Sequence, residues 1–243
     1  MQKTVKAMIE IKNITKKYSS LTAVDNVSFD IRDGECFALL GFNGAGKTTL
    51  INILTTGALP TSGTAQINGF DLINEREEVR KIINISPQES AVAKNLTVRE
   101  NLNLIASLYG IEDKDAAIDA AIDKFELREK ENVRCKKLSG GQMRRVSIAL
   151  AMITRPKILF LDEPTLGLDV KSRKILWNII GELKSNLTVL LTTHYLEEVE
   201  FLADRIAIIS CGQIKAIGTR DEILKQTGAD SLEDALLMLS EEE

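Results

Sequence analysis

The segment from Glu35 to Thr56 constrains this chain more than any other. Glu35 to Leu40 is a short, nearly continuous apolar run, as expected of a buried strand. It ends in Gly41-Phe42-Asn43-Gly44-Ala45-Gly46-Lys47-Thr48, with Thr49 next, and a helical pattern runs from Lys47 to Thr56. Strand, glycine-rich loop and helix in that order predict an α/β core. All fixed positions of G-x-x-x-x-G-K-[ST] are present. The glycines admit backbone angles closed to other residues, so main-chain N–H groups can converge on phosphate oxygens. The helix that follows points its positive end at the same anion. Lys47 adds a compact cation for the outer phosphates, and Thr48 a hydroxyl suited to Mg²⁺. A chance glycine-rich turn is the competing reading, and the strand–helix context argues against it.

A second apolar run, Ile158-Leu159-Phe160-Leu161, is followed at once by Asp162, Glu163 and Pro164. A buried strand ending in two acids places them at the carboxyl edge of the sheet, where open α/β folds bind ligands. Asp162 is the natural holder of Mg²⁺, through water. Glu163 is the natural group to polarise an attacking water. Alone, such a pair would read as a solvent-exposed strand end. The loop at 41–48 reverses that reading and predicts a phosphate-loop NTPase core.

Val27, Phe29 and Ile31 alternate with Ser28 and Asp30, so residues 8–31 read as antiparallel strands. Further strands are expected at 64–67 and 82–86. From 97 to 155 the pattern is helical. It opens with Thr97 and Glu100 as a capping box ahead of Leu102, Leu104, Ile105 and Leu108. A second helix is expected near 113–125 and a third after Gly141. Strand and helix then alternate: strands at 157–161, 188–192 and 205–210, helices at 170–184 and 195–203. Residues 205–217 read as a hairpin turning at Cys211-Gly212. The stretch 220–239 reads as one helix, and 241–243 as a solvated tail. The expectation is a single domain over 1–243. Its α/β core, 1–87 and 156–243, carries an N-terminal antiparallel β subdomain, and a helical subdomain is inserted at 88–155.

The 243 residues, 44% hydrophobic and 27% charged, suffice for a sizeable core. A net charge of −4, from 31 basic and 35 acidic residues, provides no footprint for nucleic acid and no polybasic stripe for lipid. The local basic patch of Lys136, Lys137, Arg144 and Arg145 reads as a solvated helix face. Cys36, Cys135 and Cys211 make no C-x-x-C pair and fit a reducing cytosol, with Cys36 as a core residue. The N-terminus lacks the apolar stretch of a signal peptide. No window approaches the roughly 18 apolar residues of a membrane span. Work at a membrane would therefore need another chain to cross it.

Leu138-Ser139-Gly140-Gly141-Gln142, just ahead of the second acid-ended run, narrows the class. Locally it is a helix N-terminus. Ser139 serves either as an ordinary N-cap or, with the glycine amides, as a donor to a phosphate. Together with 41–48 and 162–163, this pentapeptide resembles the ATP-binding cassette family, the nucleotide-binding subunits of ABC transporters. The resemblance covers nearly the whole chain. Tyr18 in KKYSSLTAVDNVSF is similar to the aromatic that stacks on adenine; core packing is its other reading. Gln88 in ISPQES is similar to the glutamine-loop residue; a plain surface glutamine is its other reading. Leu166-Gly167-Leu168-Asp169 resembles the loop that communicates across a dimer. His194 in LLTTHYLEE, the one histidine of the chain, resembles the switch histidine. Phe42 stands where the family commonly has proline. Trp177, beside Ile175, Leu176, Ile179 and Ile180, reads as core.

The resemblance implies a Mg²⁺-dependent ATPase with ATP and Mg²⁺ as cofactors. Residues 41–49, Tyr18, Gln88, Ser139, Gly140, Gly141, Gln142, Asp169 and His194 would contact nucleotide. Thr48, Gln88 and Asp162 would hold the metal, and Lys47, Gln88, Glu163 and His194 would serve hydrolysis. It also implies a second nucleotide-binding subunit, with Ser139 of one copy and Lys47 of the other on the same γ-phosphate. A separate membrane-spanning permease would anchor the assembly peripherally at the cytoplasmic side of the cell membrane, with no nucleic acid involved. LTVRENLNLIASLYG, LTTHYLEEVEFLADRIAIIS and SLEDALLML resemble the exporter branch of drug-resistance, sodium-efflux and ABC-2-type systems. A soluble cassette ATPase acting on ribosomes or DNA, and an importer ATPase, are the alternatives.

Overall fold

The computed structural model describes residues 7–184 and 187–240; the expected tail at 241–243 lies outside them. The chain opens with Ala7–Tyr18 (β1) and Leu21–Arg32 (β2), a long antiparallel pair. Cys36–Leu40 (β3) leads through the glycine loop into Lys47–Leu54 (α1). Ser62–Ile67 (β4), Phe70–Asp71 (β5), Arg76–Ile82 (α2) and Ile83–Ser86 (β6) follow. Then come Val98–Leu108 (α3), Lys114–Lys124 (α4) and Gly140–Met152 (α5). The rest alternates: Ile158–Asp162 (β7), Val170–Leu183 (α6), Thr188–Thr193 (β8), Leu196–Leu202 (α7), Arg205–Ser210 (β9) and Gln213–Gly218 (β10). Arg220–Thr227 (α8) and Leu232–Ser240 (α9) complete the described chain.

Two sheets result. A four-stranded antiparallel sheet has the order β2-β1-β4-β5, and a six-stranded sheet the order β10-β9-β3-β8-β7-β6. In the second, all neighbours run parallel except the β9–β10 hairpin. Every residue of β3, β7 and β8 is buried, which explains the apolar stretches 36–40, 158–161 and 189–191 at their centres. Successive side chains leave a strand on opposite faces. Thus Cys36, Ala38, Leu40, Leu159 and Leu161 join a core shared with α3–α7. Phe37, Leu39, Ile158 and Phe160 join a second core beneath β1, β2 and α1. Stacking of Phe29 on Phe37, with ring centroids 5.1 Å apart, links the two sheets.

The capping box at α3 is formed: Glu100 N–H donates to Thr97 Oγ1 at 3.1 Å, and Thr97 N–H to Glu100 Oε2 at 2.7 Å. Two local expectations need correction. The stretch 220–239 is not one helix. Gly228, with φ +72°, ends α8, and Ser231 starts α9 afresh by accepting from Asp234 N–H at 3.1 Å. Helix α2 has no counterpart in the sequence reading. Only Val79 of its seven residues is buried, so its period is faint. It is tied down instead by Arg76 and Arg80, which donate to the Thr56 carbonyl and hydroxyl at 2.6 and 2.7 Å.

Phe160 is fully buried in β7 between these layers. Phe160→Ala is expected to cost about 3–5 kcal/mol of stability. Urea denaturation of the two proteins, compared at equal m-value, measures it.

Candidate functional site

Register in the parallel sheet brings the carboxyl ends of four strands level. Leu40 lies opposite Thr193, Asp162 opposite Thr192, and Ser86 opposite Leu161. The loops after β3, β8, β7 and β6 therefore emerge side by side. Those after β3, β7 and β6 border a cleft of about 610 Å³, lined among others by Asn43, Gly44, Lys47, Thr48, Gln88 and Glu163, whereas His194 after β8 lines a second cleft with Arg173 and Tyr195.

Gly46 adopts φ +106°, and a Cβ there would sit 2.4 Å from the carbonyl oxygen of Ala23. Only glycine lets the loop pass under β2. Beyond it, Lys47 turns back into the loop and is 5% exposed. Its ammonium donates to the carbonyls of Gly41 at 2.7 Å and Phe42 at 3.1 Å, and lies 3.2 Å from Glu163 Oε1. The other carboxylate oxygen, Oε2, lies 2.9 Å from His194 Nδ1. Glu163 thus stands between the loop lysine and the histidine after β8. The three N–H bonds of Lys47 are matched by three acceptors within the chain, so a phosphate oxygen reaches Nζ only in exchange for one of them.

Glu163 has φ +47°, a left-handed backbone uncommon outside glycine. Its N–H donates to both the carbonyl and the hydroxyl oxygen of Thr192, each at 3.1 Å. The Thr192 hydroxyl donates onward to Asp162 Oδ1 at 2.5 Å, and the Thr48 hydroxyl reaches the same oxygen at 3.3 Å. Thr48 and Asp162 together offer hard oxygen donors, the chemistry Mg²⁺ requires. The loop lysine, the helix N-terminus of α1 and this oxygen pair fit a magnesium-bound phosphate chain.

Other expected residues lie elsewhere in this chain. Ser139, Gly140, Gly141, Gln142 and Asp169 do not line the cleft. Ser139 is the N-cap of α5 in a reciprocal box with Gln142, at 3.3 and 3.1 Å. Gly141 is set by contact: a Cβ would fall 2.5 Å from Ser172 Oγ, so α5 and α6 meet there at closest approach. Asp169 caps α6 by accepting from Ser172 N–H at 2.9 Å and its hydroxyl at 2.7 Å, and these bonds hold its carboxyl below the usual range. Tyr18 is 47% exposed at the end of β1, so the core-packing reading does not hold. The Lys16 ammonium lies over its ring at 4.8 Å.

The basic patch needs correction as well. Arg144 is not on a solvated face; it is 5% exposed and its guanidinium is bonded to backbone carbonyls. Sequence reasoning also missed Leu21, Thr22, Ala23, Cys211 and Gly212, which line the cleft. They reach it by tertiary packing alone. Asp25 N–H donates to Gly212 O at 2.8 Å, and Gly212 N–H to Ala45 O at 3.0 Å. No local pattern signals such contacts.

A glycine loop on a buried lysine, an acid pair and a histidine at one sheet edge match the site expected of a phosphate-loop ATPase. Comparison with known proteins specifies it. The family model described as "ABC transporter" matches residues 24–166. The linearmycin resistance ATP-binding protein of Bacillus subtilis is 38% identical over 93% of this chain and 73% of its own length. The doxorubicin resistance ATP-binding protein of Mycobacterium tuberculosis is 40% identical over 90% and 68%. Human ATP-binding cassette sub-family A member 2 is 40% identical over 91% of this chain, which spans 9% of that protein. A solved ATP-binding subunit of an ABC transporter superposes with a TM-score of 0.85 at 30% identity, over 96% of this chain and 99% of the other. A dimeric ATP-binding cassette in a post-hydrolysis state bound to ADP and Pi superposes at 0.79 with 28% identity, over 87% and 98%. The chain belongs to the ABC transporter family, as one of its ATP-binding, ATP-hydrolysing cassettes. Among the described residues no helix is long and apolar enough to cross a membrane.

Gly141→Ala is expected to destabilise the α5–α6 contact by about 1–3 kcal/mol. Ser172→Gly in that background should recover part of the loss by removing the clashing atoms. Thermal denaturation of the single and double variants checks this coupling.

Proposed function

We propose that this chain powers export of a cargo through a separate membrane-spanning partner, coupling that movement to ATP hydrolysis. The observation that carries the catalytic part is the placement of Glu163 between Lys47 and His194, at 3.2 and 2.9 Å. In this reading the amides of 41–49 and the Lys47 ammonium bind and orient the phosphate chain. Tyr18 stacks on the adenine. Thr48, Asp162 and, through its amide, Gln88 hold Mg²⁺, which when bound neutralises charge on the phosphate oxygens. Glu163 orients the attacking water and accepts its proton, and His194 fixes the carboxylate and contacts the γ-phosphate. Electrostatic stabilisation by prearranged donors supplies most of the rate enhancement.

Two copies, or this chain and a similar one, would close over two ATP molecules. Ser139, Gly140, Gly141 and Gln142 of one would then face the nucleotide of the other, with Asp169 at the seam. The cap geometry of Ser139 supports this. The amides of the first turn of α5 lie at the positive end of a 13-residue helix and suit an anion. The export direction is supported by the relatives named for linearmycin and doxorubicin resistance. Assembly with a permease would place the chain peripherally at the cytoplasmic side of the membrane.

Glu163→Gln should keep ATP affinity within a few-fold and lower the hydrolysis rate by about 10²–10⁴-fold, the usual worth of a positioned base. Steady-state phosphate release and nucleotide binding measure the two; normal turnover refutes the role of Glu163. For the transport role, affinity purification of the chain from its native membranes should bring down a protein with several membrane spans. Recovery of ribosomes instead would overturn the export reading.

A further inference from the structure

Arg144 has no part in the site as described, yet it touches the backbone on which that site is built. It lies in the second turn of α5 and is 5% exposed. Its guanidinium donates from Nε to Pro164 O at 2.9 Å, from Nη2 to Asp162 O at 2.8 Å, and from Nη1 to Pro87 O. The Pro87 carbonyl belongs to the peptide that leads into Gln88. Asp162 and Pro164 flank Glu163 on either side. A planar fork with five N–H donors is the side chain that can hold carbonyls from two strand ends at once.

The backbone it holds is unusual. A left-handed non-glycine residue persists only where its surroundings over-determine it. For Glu163, Thr192 holds the N–H, and Arg144 holds the carbonyls on both sides. Burial lowers the Arg144 pKa to about 10, while the charges of Asp162, Glu198 and Glu163 oppose that shift. The group therefore stays cationic at neutral pH, beside three carboxyl side chains that are themselves buried. Helix α5 has a second tie to the same sheet: the hydroxyls of Ser147 and Ser86 are hydrogen-bonded at 2.9 Å. The same end of this tied helix carries the cap of Ser139 and Gln142, one turn ahead of Arg144.

We infer that Arg144 is a positioning residue for hydrolysis. It ties the helix that begins at Ser139 to the backbone of Gln88 and Glu163, so a displacement of that helix re-aims both side chains. This rests on the reading of Gln88 and Glu163 proposed above. Contact made at the Ser139 end by a second cassette would then reach the hydrolytic carboxylate of the same chain that donates the cap. The path is a continuous set of hydrogen bonds rather than a distance.

Hydrogen–deuterium exchange and ATPase kinetics on the full chain test this with Arg144→Lys and Arg144→Met. Lysine keeps the charge but loses the fork. Both variants should exchange at least tenfold faster across 87–92 and 162–168, with β3 and α1 unchanged. The kcat for ATP should fall at least thirtyfold, with KM within threefold. If Arg144→Met unfolds, Arg144→Lys decides. Unchanged exchange overturns the tie. Faster exchange with full kcat overturns the positioning role and leaves Arg144 purely structural. Full rescue of kcat by lysine overturns the requirement for the fork. Glu163→Gln measured in parallel keeps the readings separate. Its normal turnover would sink the role of Glu163, while exchange in the Arg144 variants would still report the tie.

Discussion

Parallel pairing of β3 with β8 and of β8 with β7 is the constraint on which the site depends. In a parallel ladder all strands end at the same edge, so whatever follows each strand is delivered to one line. Here the glycine loop follows β3, the acid pair ends β7, and His194 follows β8. A shift of one residue in any pairing would move a strand's side chains to the opposite face. The two cores on either face of the sheet prevent it. Phe37 and Leu39 pack on one side, and Ala38 and Leu40 on the other. The precision of the site is thus a product of apolar packing several residues away from it.

Burial of charge is the second organising feature. Lys47, Arg144, Asp162, Glu163 and Glu198 are all withdrawn from water. Removing one partner of a buried pair generally costs about 3–5 kcal/mol, because the other charge is left uncompensated. The molecule meets that demand with dense bonding. Lys47 binds two loop carbonyls as well as Glu163, Arg144 binds only carbonyls, and Glu198 accepts from the Trp177 indole N–H at 3.1 Å. Burial pushes the Glu198 carboxyl up, and the bond it accepts from the Trp177 indole offsets part of that. In the proposed reading Lys47 exchanges Glu163 for a phosphate, since both states match the ammonium with an anion. Arg144 is bonded to backbone carbonyls, which suits a fixed brace rather than a moving part.

Much of this was legible in the chain. The loop at 41–48, the pair at 162–163 and the caps at Thr97 and Ser139 are local chemistry: each places its key atoms within a few residues of one another. The strands β3, β7 and β8 are legible because burial on both faces leaves continuous apolar stretches, 36–40, 158–161 and 189–191, with polar residues only at the ends of β7 and β8. Helix α2 was illegible because side chains from its exposed face hold it to Thr56, and an arginine at the surface has no period. The break at Gly228 was missed because the apolar spacing of α8 and α9 runs on across it. Arg144 looked like its neighbour Arg145, which donates to the carbonyls of Phe125 and Glu126 at 3.1 Å. Nothing in two adjacent arginines says which one turns inward.

By itself the sequence determined the chemistry available to this protein: a phosphate cradle, a carboxylate pair, a capped helix start and a histidine, each written in a contiguous stretch. It did so because backbone conformation and capping depend on near neighbours. Only the tertiary structure decided which of these meet. Sheet order set Glu163 between Lys47 and His194, brought the turn at Cys211 and Gly212 to the cleft, and left Ser139 outside it. Those outcomes follow from the register of strands far apart in the chain and from the packing of two faces. Such choices are made by the whole core and by no single segment.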